Sequence, residues 1–161
     1  MRDCIFCKIV AGEIPSVMLW EDDDHVAILD VAPNTRGMTL VLTKKHYASN
    51  ISFIDDDVFK RFMIASKRVV RVLEKGLSVS RVALVVEGTG VNHAHAKLYP
   101  LHGVLAEFHS AERDTRTFFD TYQGFVSTQL GPNAQVKELK MLAQEIRRKS
   151  GEEGQTKLLD A

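Results

Sequence analysis

The alternation of apolar and polar positions divides the first hundred residues into short strands around one long helix. Residues 17–20 (VMLW) and 24–31 (DHVAILDV) predict two strands joined by the acidic turn EDDD. Pro33, Asn34 and Gly37 mark a loop, and 38–43 (MTLVLT), rich in β-branched residues, predicts a third strand. The spacing then becomes helical, with Val58, Phe59, Phe62, Met63, Val69, Val70 and Leu73 among the recurring apolar positions. The Asp55–Asp57 cluster can cap this helix and suits its positive end, and Gly76 predicts its stop. Residues 81–87 (RVALVVE) and 93–99 (HAHAKLY) predict the fourth and fifth strands, with the loop GTGVN between them.

The last third reads differently. Residues 110–122 (SAERDTRTFFDTY) predict a helix, and Gly131-Pro132-Asn133 breaks the chain. Residues 134–149 predict an amphipathic helix with Val136, Leu139, Leu142, Ala143 and Ile146 on one side. The last dozen residues are polar, which predicts frayed chain. Strand-strand-strand-helix-strand-strand followed by helices is an α+β order with an antiparallel sheet.

Composition narrows the class. The 161 residues carry 21 Lys+Arg against 21 Asp+Glu, so a basic sheath for nucleic acid is not expected. No stretch approaches the roughly 20 apolar residues of a membrane helix, and MRDCIFCKIV has no long apolar run of a secretory signal. The expectation is a soluble, cytoplasmic protein with no membrane partner. In that compartment Cys4 and Cys7 are thiolates or metal ligands before they are a disulfide.

The chemistry concentrates in VNHAHAKLYP. His93, His95 and Lys97 alternate with alanines, and side chains two apart on a strand share a face at about 6.5–7 Å. A strand with a merely polar outer face is the plain alternative. The approach EGTGVN argues against it, because a glycine-rich loop brings backbone N–H groups close to a phosphate.

Residues 93–100 (HAHAKLYP) resemble the signature of the histidine triad (HIT) family of nucleotide hydrolases and transferases, His-x-His-x-His with apolar x. "CIFCKIVAGEIPS" and "AILDVAPNTRGMTLVLTKKH" are similar to the family's N-terminal and central segments, so the resemblance covers about residues 4–105. It implies a five-stranded antiparallel sheet with packed helices. It also implies a HIT domain over 1–109, with 110–161 as a C-terminal helical extension packed on the same domain. The implied nucleophile is His95, which attacks the α-phosphorus of a nucleotide conjugate such as a dinucleoside polyphosphate. A nucleotidyl-histidine forms, and water or another acceptor takes the nucleotide. A main-chain carbonyl near His93 is implied as the acceptor for the other ring N–H.

Lys97 stands where the family usually has its third histidine, and Met38 where many members have another. An ammonium can neutralise charge on phosphate oxygens but is a poor proton donor, with an ordinary pKa of about 10.4. The galactose-1-phosphate uridylyltransferase branch also lacks the third histidine and is active. Groups that depart as stable anions should therefore be favoured over amines, with His102 a candidate substitute donor.

Members with a similar CxxC hold zinc through those cysteines and two histidines. The resemblance thus implies a structural zinc on Cys4, Cys7, His46 and His93, with no open position. It implies that Asp30 takes the ribose hydroxyls, and that Thr89, Gly90 and Asn92 contact phosphate, Asn92 as a side-chain donor. A turn-forming role is the plain reading of Asp30. Phe6, Ile9, Ile14 and Leu29 lie where apolar residues would hold the base, or are simply core. Lys44, Lys45 and Arg147–Lys149 read as solvated charges, and His25 and His109 receive no function. A homodimer is implied, and the apolar face of the 55–75 helix suits it. Two other readings stay open: a nucleotide-binding module without turnover, and a zinc-stabilised interaction protein.

Overall fold

The computed structural model describes residues 3–107 and 118–126 and the isolated positions 135, 137 and 141. The chain divides into two units, Met1–His109 and Ser110–Ala161. The expected helix over 134–149 lies largely outside the described residues; of its positions, Lys137 and Met141 are helical. The expected helix over 110–122 is described only from 118 onward, and 118–122 are not helical.

In the first unit a short helix α1 (Ile5–Val10) precedes β1 (Met18–Glu21), β2 (His25–Leu29) and β3 (Thr39–Thr43). A single 3₁₀ turn (Ile51–Phe53) leads into α2 (Asp56–Leu77), followed by β4 (Val82–Val85) and β5 (His95–Pro100). The five strands form one sheet in the order β1-β2-β3-β5-β4, every neighbouring pair antiparallel. The α+β class and five-stranded antiparallel sheet are as the alternation predicts.

Two boundaries differ from the sequence reading. Helix α2 passes through Gly76 and ends at Leu77; Ser78 takes the left-handed conformation (φ +53°), and its N–H closes on the Glu74 carbonyl. The cap geometry depends on which residue leaves the last hydrogen bond, not on where a glycine happens to stand. At the other end the expected cap holds, with Asp55 Oδ1 accepting from Asp57 N at 2.9 Å and from Val58 N at 3.4 Å. β5 begins at His95, so His93 sits before the strand and not in it.

The sheet buries both faces, and this decides where the chemistry goes. On one side Phe62, Val69 and Leu73 of α2 pack on Ala27, Val41, Ala96 and Leu98. On the other, Phe6 of α1 packs with Val26, Ile28, Leu40 and Leu42. The apolar side of α2 thus packs on its own sheet, while Ile64 and Val72 of the same helix are exposed. The β3–β5 register sets Leu42 opposite His95 and Leu40 opposite Lys97. His95 and Lys97 therefore share the α1 face, while Ala96 and Leu98 turn toward α2, as strand alternation requires.

Candidate functional site

β5 presents His95 beneath α1. Its ring is 3% exposed, and Phe6 approaches it edge-on at a centroid distance of 5.2 Å. His95 Nδ1 lies 2.7 Å from the His93 carbonyl oxygen. A carbonyl only accepts, so Nδ1 carries the hydrogen and donates. That leaves Nε2 with its lone pair, and Nε2 has no partner among the described residues. Among those residues no fully buried side-chain polar atom lacks a partner, so this nitrogen keeps access to solvent. In the neutral form of the ring this fixes the tautomer, with Nε2 as the available nitrogen.

His93 lies just before β5 but on the same α1 side as His95, with Phe6 edge-on to its ring at 5.8 Å. Leaving the ladder early lets its ring turn inward, where it is fully buried. Nε2 donates to the Thr43 carbonyl at 2.7 Å, with Thr43 Oγ1 at 3.2 Å. This leaves Nδ1 as the lone-pair nitrogen, and both cysteine sulfurs meet it: Cys4 Sγ at 3.5 Å and Cys7 Sγ at 3.5 Å. Cys7 Sγ is also 3.3 Å from His46 Nδ1. The four ligand atoms of Cys4, Cys7, His46 and His93 all lie within 4.8 Å of one another. Zinc bonds of about 2.3 Å to sulfur and 2.0–2.1 Å to nitrogen, at tetrahedral angles, put S and N about 3.5 Å apart. The donor set and its spacing fit a metal ion held by four protein ligands. Burial pushes the Cys7 thiol up, and neighbouring Cys4 adds to this; a cation at the centre reverses it by deprotonating the sulfur. Burial lowers His93 against the pull of its bond to Thr43, which keeps the imidazole neutral as a ligand must be.

The remaining candidates surround β5. Asp30 follows β2, and its Oδ1 accepts from Ala32 N at 2.8 Å, so one carboxylate oxygen shapes the turn. Asn92 Oδ1 accepts from Ser49 N at 3.0 Å and from Ser49 Oγ at 3.4 Å. With its oxygen held, the amide NH₂ is oriented as a donor. Ser49, which the sequence reading did not single out, also donates to the Gly88 carbonyl at 2.8 Å. Gly88 has φ +72°, and a Cβ there would stand 3.1 Å from the Ser49 carbonyl, so a side chain fits neither the conformation nor the space. Thr89 and Gly90 are exposed on the same loop. A recess of about 280 Å³, bounded by Ser49, Asn50, Ile51, Val86, Glu87 and Gly88, opens beside it.

Lys97 has a partner that residue spacing did not reveal. Its Nζ donates to Glu87 Oε2 at 2.6 Å, and the Glu87 side chain is only 8% exposed. Tyr99, two residues on, is raised first by burial; Lys97 opposes the shift, while Glu87 and Asp30 add to it. The charges of Lys97, Glu87 and Asp30 are thus all felt at one phenol. Met38, where the family often has a histidine, is buried at 7% exposure. His102 is exposed, with Nε2 2.9 Å from the Arg36 carbonyl. His25 is not a solvated side chain: it is 3% exposed, stacked on Phe62, and bonded to Asp22 at 2.9 Å.

An antiparallel five-stranded sheet with a histidine at the head of β5, a second just before it and a glycine loop ahead of both defines a class, and the comparisons name it. Residues 11–104 match the model of the HIT domain. An uncharacterised HIT-like protein of Methanocaldococcus jannaschii is 40% identical over 101 residues, 60% of this chain and 78% of that one. A crystal structure of a Streptococcus mutans protein is similar at a TM-score of 0.66 and 31% identity, covering 93% of this chain and 87% of that one. A Legionella pneumophila protein described as a HIT family hydrolase has a TM-score of 0.51 and 32% identity, covering 60% of this chain and 91% of that one. The chain belongs to the HIT family. Among the described residues, no helix is long and apolar enough to cross a membrane.

Proposed function

We propose that this chain is a hydrolase or nucleotidyl transferase acting at the α-phosphate of a nucleotide conjugate, a dinucleoside polyphosphate or similar. The observation that carries the reading is the 2.7 Å bond from His95 Nδ1 to the His93 carbonyl, which leaves Nε2 as the nucleophile. In the first step an Nε2–P bond forms and the bond from phosphorus to the departing oxygen breaks, its electron pair leaving with that group. In the second, water or another acceptor attacks phosphorus, the N–P bond breaks, and the acceptor's proton is lost to solvent. His93 acts through its carbonyl, which steadies the imidazole as positive charge develops on it.

In the same reading Lys97 neutralises charge on the phosphoryl oxygens. Asn92 donates its oriented amide to the α-phosphate, Thr89 and Gly90 offer the loop backbone, and Asp30 receives the ribose hydroxyls through its second oxygen. The metal is a structural zinc on Cys4, Cys7, His46 and His93, which ties α1 to the residue that orients His95. A similar Legionella protein described as a hydrolase supports the reaction class. Residues 1–109 are the HIT domain and 110–161 its extension, in a cytoplasmic homodimer.

The test is to quench the protein during turnover of a slow nucleotide conjugate and look for phosphorus bound to His95 by mass spectrometry. A nucleotidyl adduct on His95, absent from His95→Ala, supports the reading. Full turnover by His95→Ala ends it.

A further inference from the structure

Glu87 has no place in the reaction as written, yet its position is costly. The side chain is 8% exposed, and its carboxylate meets Lys97 Nζ at 2.6 Å, while Lys97 is 25% exposed. A carboxylate that far from water requires a counter-charge. The β4–β5 register sets Val85 opposite Lys97. Glu87 lies two residues past Val85, beyond the end of β4, and strand alternation carried on from Val85 puts it on the face that His95 and Lys97 share. The next residue, Gly88, is bound through its carbonyl to Ser49, so the backbone that carries Glu87 is fastened to the connection between β3 and α2.

The pair also changes what Lys97 is. A lysine alone has a flexible four-carbon stem and a strongly hydrated head, which favours excursions into solvent. Here the head is held at a fixed carboxylate.

We propose that Glu87 is a positioning residue that locks Lys97 beside His95 as a fixed cation. The third place of the triplet then stabilises charge on a phosphoryl group and does not hand a proton to the departing group. The reaction is thereby restricted to conjugates whose departing group leaves as a stable anion. This rests on the assignment of the α-phosphate to the His95 face.

A double-mutant cycle on the full chain tests it, with Glu87→Gln, Lys97→Met and the pair. Lys97→Gln replaces Lys97→Met should the latter not fold. Two readouts are taken: kcat and KM on a p-nitrophenyl ester of a nucleoside 5′-monophosphate and on an alkyl phosphoramidate of the same nucleotide, and calorimetric affinity for the ribonucleoside 5′-monophosphates. Glu87→Gln should lower kcat on the ester about 10–100-fold with KM within about 3-fold, and weaken monophosphate binding roughly 3–10-fold. In the Lys97→Met background the same change should matter by less than about 2-fold, and Glu87→Asp should recover part of the loss. Independent, multiplicative effects overturn the proposal, as does a fall in melting temperature with kcat and affinity unmoved. Coupled affinities in a protein with no turnover would sink the covalent reading and leave the positioning role standing. Affinities indifferent to both changes would sink the positioning role whatever the turnover.

Discussion

The carbonyl oxygen of His93 lies 2.7 Å from His95 Nδ1, while the ring of His93 turns back to the two cysteines. One residue thus joins the candidate metal centre through its side chain to the candidate nucleophile through its backbone. Whatever fixes the ring of His93 also fixes the acceptor that orients His95.

That link predicts the result of removing the nucleophile. His95→Ala should lose on the order of 10³-fold or more in kcat/KM on any conjugate the wild type turns over. Monophosphate affinity should change far less, because the ring's role is bond formation. Steady-state kinetics beside calorimetry separates the two.

The candidate metal centre predicts a stability effect with a distinct signature. Cys7→Ser should release about one equivalent of metal, measured by elemental analysis of untagged protein. Losing about 2–4 kcal/mol of metal stabilisation lowers the melting temperature by roughly 10–20 °C for a unit of this size. A metal-chelator titration of the wild type should reproduce the shift, and Cys7→Ser should no longer respond to the chelator.

Asp22 predicts a pH dependence. Burial alone would raise its carboxyl, but the His25 side chain and the backbone N–H groups of Asp24 and His25 outweigh burial and hold it below the usual carboxylate range. A folded value below the unfolded one contributes stability above the ordinary carboxylate pKa of about 3.9 and loses it as pH falls through the folded value. Asp22→Asn should therefore cost about 1 kcal/mol at pH 7, and the gap to wild type should close as pH drops below about 4. Urea unfolding at a series of pH values reads this directly.

The end of α2 predicts a gain. Ser78 holds φ +53°, a conformation glycine adopts without steric cost, so Ser78→Gly should stabilise by about 0.5–1 kcal/mol. Gly76 lies inside the helix with nothing within 4 Å of an added Cβ, so Gly76→Ala should add a similar amount. Both appear as an increased denaturation midpoint with an unchanged m-value.

Periodicity alone determined the five strands, the long helix and the face that His95 and Lys97 share, because the two-residue repeat of a strand is a local property. Cys4, Cys7, His46 and His93 came from a family likeness, and their meeting depends on contacts between segments 39 and more residues apart. The tertiary structure alone decided three things. The ring of His93 is buried before β5 begins and donates to the Thr43 carbonyl, while its own carbonyl takes the place beside His95 that the family likeness implied. Ser49 holds Asn92, through a loop with no pattern to read. Glu87, just past the end of β4, balances Lys97 of β5, a meeting set by the register of the two strands, and register is fixed by the whole sheet closing on its core rather than by any one segment.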